Sequence, residues 1–155
     1  RGMECVCLCS DRALRPPNTT KTWIFRIMKN LVLQALGLDL SVLRCAPETK
    51  LSLDFVNSSG FFSITRTDEE LSVVCESNAV PDFPTQKIDA GWKAFKVKGP
   101  LDFSLTGILL SIAKPLAEAN IGIFAVSTFD TDYVLVKEEN FLKAQKTLGQ
   151  NFILE

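Results

Sequence analysis

The chain has no histidine. That absence removes the usual general base near neutral pH and the commonest metal ligand. Ser-His-Asp and Cys-His catalysis are therefore excluded within one chain. An excess of either charge is missing too, since 17 lysines and arginines stand against 18 aspartates and glutamates. Such a balance leaves no electrostatic footprint for nucleic acid or an anionic membrane, and no basic cluster interleaves with aromatics. No run reaches the roughly 18 apolar residues needed to span a bilayer. Neither a glycine-rich phosphate cradle nor a familiar metal-ligand spacing occurs. These absences lead to the expectation of a protein that is not an enzyme, holds no cofactor or metal, and has neither nucleic acid nor membrane as partner.

Cysteine is present five times, an odd number. Cys45 and Cys75 sit in apolar, strand-like runs and are expected as buried free thiols. Cys5, Cys7 and Cys9 alternate, a spacing that could ligate a soft metal, but no second cysteine pair completes a familiar site. Unpaired cysteines of this kind fit a reducing compartment, so a cytoplasmic location is expected.

With 155 residues there is room for one domain or two very small ones, and 46% hydrophobic residues suffice for a packed core. Residues 1–35 stand apart. They carry Pro16-Pro17 and a polar Asn18-Thr19-Thr20-Lys21 run, and Arg26, Lys29 and Asn30 break the apolar stretch from Trp23 to Leu36. The expectation is a poorly ordered N-terminal extension, with an organelle transit peptide as the alternative.

Beyond it, Leu38 to Arg44 alternates apolar and polar residues at strand period. Phe61 to Arg66 and Leu71 to Cys75 flank the polar turn Thr67-Asp68-Glu69-Glu70 and form a hairpin. Ser77 to Gly91, with Pro81 and Pro84, reads as an irregular connection. Trp92 to Lys98 is a strand, and a helix begins at Gly107 with Thr106 or a neighbour as its cap. Asn120 stops that helix. Ile121 to Ser127 has no polar interruption and is expected to be central and buried on both faces. Asp132 to Lys137 pairs with it, Glu138 to Gly149 is a second helix, and Phe152 to Leu154 is a last strand. From residue 92 the order is βαββαβ, the ferredoxin-like layout. Residues 36–91 look like an abbreviated copy, with Phe61–Thr65 echoing Ile123–Ser127. The expected class is α+β, built from tandem ferredoxin-like units over 36–91 and 92–155, the first abbreviated.

The stretch from Leu101 to Val136 holds the most telling chemistry. A helix start exposes unpaired N–H groups and a partial positive charge, which suit a carboxylate. Carboxylates on the following hairpin suit an ammonium or guanidinium group. One anion-binding end facing one acidic turn is what a free amino acid needs. Each residue has a plainer reading as well. Gly107 also serves a tight strand-to-helix turn, Asp132 can cap its own turn, and Phe129 can fill an interface.

Three blocks resemble a known family. They are Phe61-Phe62-Ser63-Ile64-Thr65-Arg66-Thr67-Asp68-Glu69-Glu70-Leu71-Ser72, then Ser104-Leu105-Thr106-Gly107-Ile108 with Pro115-Leu116-Ala117-Glu118, and last Ser127-Thr128-Phe129-Asp130-Thr131-Asp132-Tyr133-Val134-Leu135-Val136. Together they resemble the ACT-domain family, in particular its paired-ACT group, which includes the CASTOR arginine sensors and small bacterial homologues. The resemblance covers residues 36–155. It implies a regulatory module that binds an amino acid without transforming it, at an interface between two ACT units. Carried over residue by residue, the ligand site is Ser104, Leu105, Thr106, Gly107 and Ile108 on the loop side, and Thr128, Phe129, Asp130, Thr131 and Asp132 on the hairpin side. Asp132 stands where the arginine sensors place an acidic residue, whereas Leu105 departs from an acidic one. Half the ACT count of the sensors implies a second chain, hence a homodimer. The alternative is a structural or protein-interaction ACT module with no retained ligand site.

Overall fold

The computed structural model describes residues 31–57, 60–80, 84–99 and 106–155. The extension expected over residues 1–35 falls outside this range up to residue 30. Two long strands, β1 (Val32–Cys45) and β4 (Lys87–Val97), run antiparallel through the middle of the molecule. Both are longer than their sequence pattern suggests. Residues 32–35, expected in the extension, form the start of β1, and Leu31 and Leu33 are buried in the core. Likewise Lys87 to Gly91, expected as irregular connection, is strand. Its partner is the second half of β1, with Ile88 opposite Leu43 and Lys87 opposite Arg44. Lys137 holds this segment from the other side, donating to the Asp89 carboxylate at 2.5 Å and to the Ala90 carbonyl at 2.7 Å.

The remaining elements are α1 (Leu53–Val56), β2 (Phe62–Arg66), β3 (Leu71–Glu76), α2 (Ile108–Glu118), β5 (Ile123–Ser127), β6 (Asp132–Lys137), α3 (Glu138–Leu148) and β7 (Ile153–Leu154). The described strands form one sheet in the order β2-β3-β1-β4-β6-β5. That order is palindromic: β1-α1-β2-β3 on one side corresponds to β4-α2-β5-β6 on the other. The hairpin echo in the sequence is thus matched in the sheet, where β2 and β5 occupy equivalent edge positions. The second unit continues into α3 and β7. Among the described residues, the first unit has a 3-10 turn at Ser77–Ala79 at the corresponding place. The expected α+β architecture of ferredoxin-like units is present, with one topological twist. β7 pairs parallel with the first half of β1, not with β4 of its own unit.

Alternation along the strands divides the core. Leu33, Phe95, Val97, Val134 and Val136 face α2 and α3, and pack with Ile112, Leu116, Ala144 and Leu148. Leu40, Val74, Trp92, Ala94, Leu135 and Val126 point to the opposite, concave face and cluster there. A third cluster of Leu43, Cys45, Leu71, Val73 and Cys75 sits under Phe55 of α1. The end of α2 is a Schellman motif. Asn120 takes a left-handed φ of 54°, its N–H reaches the Ala117 carbonyl at 2.9 Å, and the Ile121 N–H reaches Leu116 at 2.9 Å. Asn120 therefore stops the helix as expected.

The expectation for β5 is overturned as well. β5 is an edge strand with Val126 as its one buried side chain, not a central strand buried on both faces. Its apolar character has another cause. The sheet curls until the β2–β3 hairpin faces β5 across a cleft, and Phe61 meets Tyr133 edge-on with ring centroids 4.9 Å apart. An edge strand covered by the far end of its own sheet keeps an apolar sequence.

Cys45 and Cys75 are free and buried, as expected. Burial, and secondarily the Glu76 carboxylate, push the Cys75 thiol up to about 11. Native protein at pH 8 is expected to leave Cys75 unmodified by iodoacetamide, with alkylation appearing only in urea, as mapped by peptide mass spectrometry. The same shift makes stability full below the ordinary thiol value and progressively lost as pH rises toward 11, because the unfolded thiol ionises first.

Candidate functional site

The turn between β5 and β6 is built by threonines. The Thr128 N–H and hydroxyl both donate to the Thr131 carbonyl, at 2.8 and 2.9 Å. The Thr131 side chain is buried and its hydroxyl donates to the Val97 carbonyl, pinning the hairpin to the end of β4. The β2–β3 turn uses the same chemistry. There the Thr67 N–H donates to the Glu70 carbonyl at 2.9 Å, and the Thr67 hydroxyl accepts the N–H groups of Glu69 and Glu70. Thr128 and Thr131 therefore spend their hydroxyls holding the hairpin in place.

That placement separates the two aspartates. Asp132, opposite Ser127, is half-buried and alternates with Tyr133, so it shares the helix-bearing face with Val134 and Val136. Asp130 is exposed at the turn, where it lines a cleft of about 440 Å³ with Lys96, Gly99 and Thr131. Lys96 lies on the concave face, its ammonium 5.8 Å from the centroid of the Tyr133 ring. Sequence reasoning missed Lys96 and Gly99. The signal for Lys96 was its polar phase in the β4 pattern, but only the β4–β6 register, Lys96 opposite Tyr133, brings it to the hairpin.

On the loop side, Ser104 and Leu105 lie outside the described residues. Thr106 and Gly107 are exposed and Ile108 is half-buried against the helix-side core. Thr106 does not cap the helix. The cap position is Gly107, left-handed at φ 85°, and among the described residues no side-chain cap bond is made to the first turn of α2. The leading amide groups of α2 thus keep the unpaired N–H character of a helix start. The far end of α2 runs through Asn120 directly into β5. An 11-residue helix and a five-residue strand are each about 16 Å long, so the start of α2 rises to the hairpin end of the sheet. The structure thus brings Gly107, Ile108 and Asp132 to one end and one face. Phe129, 78% exposed, projects from the same end, and Asp130 turns to the other side.

The chemistry this arrangement supports is binding of a small charged molecule at an open, preformed end. Among the described residues, no group of three or more cysteines, aspartates or glutamates is placed to hold a metal. No described helix is long and apolar enough to cross a membrane.

Two α+β units sharing a continuous sheet, with an uncapped helix start beside a hairpin in the second, define a paired module of the ACT type. Comparison with known proteins agrees. An ACT-domain family model matches residues 87–150, and a second model, for an N-terminal domain, matches residues 54–82. The human protein CASTOR3P is 32% identical over 127 residues, covering 73% of this chain and 78% of that protein. A crystal structure of an Agobacterium tumefaciens protein is 37% identical with a TM-score of 0.71, covering 81% of this chain and 94% of that one. The chain belongs to the ACT-domain family, within which it is homologous to the CASTOR proteins. It is 29% identical to the Bos taurus cytosolic arginine sensor for mTORC1 subunit 1, covering 59% of this chain but 31% of the sensor. The regulatory subunit of aspartate kinase from Thermus thermophilus shares the fold, with a TM-score of 0.57 at 10% identity.

Gly107 is held by its backbone conformation and not by crowding, since a Cβ there would meet nothing within 4 Å. Gly107→Ala is expected to cost about 1–2 kcal/mol, the penalty of a left-handed L-residue. Urea unfolding checks it, and an unchanged midpoint would remove the backbone explanation for this glycine.

Proposed function

We propose that this chain is a non-catalytic regulatory module that binds an amino acid at the hairpin end of its complete ACT unit. The observation that carries this reading is one juxtaposition. The start of α2, with no side-chain cap among the described residues, and the Asp132 carboxylate, with no ion-pair partner among them, lie at the same end and face of the sheet. Amide groups around Gly107 and Ile108 would take the ligand carboxylate, helped by the helix-end charge. Asp132 would take the cationic part through a charge-assisted hydrogen bond. Ser104, Leu105 and Thr106 would close the loop side. Thr128 and Thr131 would act by bracing the hairpin, and Phe129 would cover the ligand. The names of the arginine-sensing relatives support an amino acid as ligand class. The chain spans only about a third of those sensors, so arginine itself does not follow.

A second copy would supply the other wall of the site, in the cytoplasm. Leu110 at 68% and Phe129 at 78% are exposed large apolar side chains at this end, where an interface would cover them. Light scattering at tens of micromolar protein is expected to give a dimer. A monomer at that concentration would leave the site open to water and count against the two-walled arrangement.

A thermal-shift screen against the common amino acids is the direct test of binding. At least one is expected to raise the melting temperature, by the equivalent of about 2.7 kcal/mol at a hundredfold excess over its Kd. Asp132→Asn should weaken a cationic ligand by about 1.5–3 kcal/mol in calorimetry. A ligand held equally well by the Asn variant would displace the cationic pole from Asp132. If no amino acid shifts the transition, the sensor reading fails. One observation favours the structural alternative in that event: the hydroxyls of Thr128 and Thr131 are already satisfied within the fold.

A further inference from the structure

The concave face carries a second cleft that the hairpin-end site does not use. It has a volume of about 170 Å³ and lies where the curled sheet almost meets itself. Ser63, Thr65, Ser72 and Val74 of the β2–β3 hairpin form one wall, and Phe124 to Ser127 of β5 form the other. The composition of the first wall is unexpected. The buried side chains elsewhere on this face are leucine, valine, alanine and tryptophan, which pack together. Here three hydroxyls replace them. Thr65 stands directly opposite Ser72 in the β2–β3 register, with Ser63 one step along the same face, opposite Val74.

None of the hydroxyls of Ser63, Thr65 and Ser72 has a hydrogen-bond partner among the described residues. Two of them, Ser63 and Ser72, are half-buried. The opposite wall adds backbone groups. The Thr128–Thr131 pair is hydrogen-bonded, so the antiparallel alternation makes Ser127 and Ala125 non-hydrogen-bonded partners of Asp132 and Val134. Their N–H and C=O groups therefore point away from β6, along the edge of β5 that has no strand partner among the described residues. The cleft presents donors and acceptors on both walls, and no lysine, arginine, aspartate or glutamate lines it.

We propose that this seam is a second ligand site, for a small uncharged molecule rich in amide or hydroxyl groups. Hydroxyls can donate or accept as the ligand requires, and a strand edge offers paired donors and acceptors in fixed positions. A charged ligand would enter without a counter-charge, which disfavours it. The volume fits roughly five or six waters' worth of ligand, taking about 30 Å³ each. Because one wall belongs to the first unit and the other to the second, an occupant ties the two outer strands together. This site lies on the opposite face of the sheet from Asp132 and stands or falls separately from it.

The test uses the isotopically labelled full chain and N-acetylglycinamide as the uncharged probe, followed by amide chemical shifts. Sodium acetate and methylammonium chloride serve as charged probes of smaller but related chemistry. Titration to about 50 mM, enough to saturate a millimolar site, should move resonances of residues 63–74 and 123–127 with N-acetylglycinamide and not with either charged probe. Ser63→Ala and Ser72→Ala remove hydroxyls that hold nothing in the fold. Each variant should keep the parent melting temperature and weaken the probe about threefold to tenfold, the range for a neutral hydrogen bond. Asp132→Asn should leave these shifts unchanged. No perturbation at the seam, equal response to a charged probe, or undiminished binding by both serine variants would each overturn the proposal.

Discussion

The pairing of β1 with β4 is the constraint on which the rest of the molecule depends. These two strands belong to different units, yet they lie side by side and carry everything else on their outer flanks. β1 pairs with β7 along its first half and with β3 along its second, while β4 pairs with β6. Register shifts near Leu36, Leu40 and Val42 mark the change of partner within β1. Irregularities of this kind bend a strand and increase its twist. A sheet with such a bend at its centre can curl until β2 and β5 face one another. The concave cluster around Leu40, Trp92 and Leu135 is buried by that curl, with no helix residue among its described members.

The same pairing explains why neither unit reads as an independent domain. The last strand of the second unit completes itself on the first unit's β1. The Ile153 N–H donates to Leu31, the Glu155 N–H to Leu33, and Lys98 bridges to the Glu155 carboxylate at 2.6 Å. Removing the first unit would strip β7 of its strand partner β1 and take Leu33 out of the core that it shares with Phe95. The pair of units is thus the smallest folded entity that the hydrogen-bond pattern supports.

Repetition of turn chemistry links fold to site. Thr67 and Thr128 open equivalent hairpins with equivalent backbone bonds. In the first unit that turn carries Asp68, Glu69 and Glu70, and Glu70 is drawn to Arg44 at 3.2 Å. In the second it carries Phe129 and Asp130, with Thr131 turned inward onto Val97. One scaffold is used twice, and among the described residues the second is accompanied by the longer helix, whose start has no side-chain cap. Gly107 permits that start by adopting a conformation that most residues resist.

Much of the architecture was legible in the sequence because it rests on local periodicity. The hairpin of Phe62–Glu76, the helix stop at Asn120 and the βαββαβ order after Trp92 are all short-range statements, decided by alternation, helical spacing and turn residues. The residues before α2 and in the β5–β6 turn stand out as a candidate site for the same reason, since each set is contiguous. What the linear order could not hold is which strands become neighbours. The apolar run of β5 means burial, but periodicity cannot say whether a central position or a covered edge supplies it. Leu31 and Leu33 look like part of a broken extension until β7 and β4 are placed on either side. Lys96 reaches the hairpin only through the register of β4 on β6, and Ser63, Thr65 and Ser72 come to face β5 only when the sheet curls. Local free-energy preferences act over a few residues and are written in the sequence directly. The partners of an edge, the curl of a sheet and the clefts that result are set by contacts between residues far apart in the chain, so tertiary structure alone decided them.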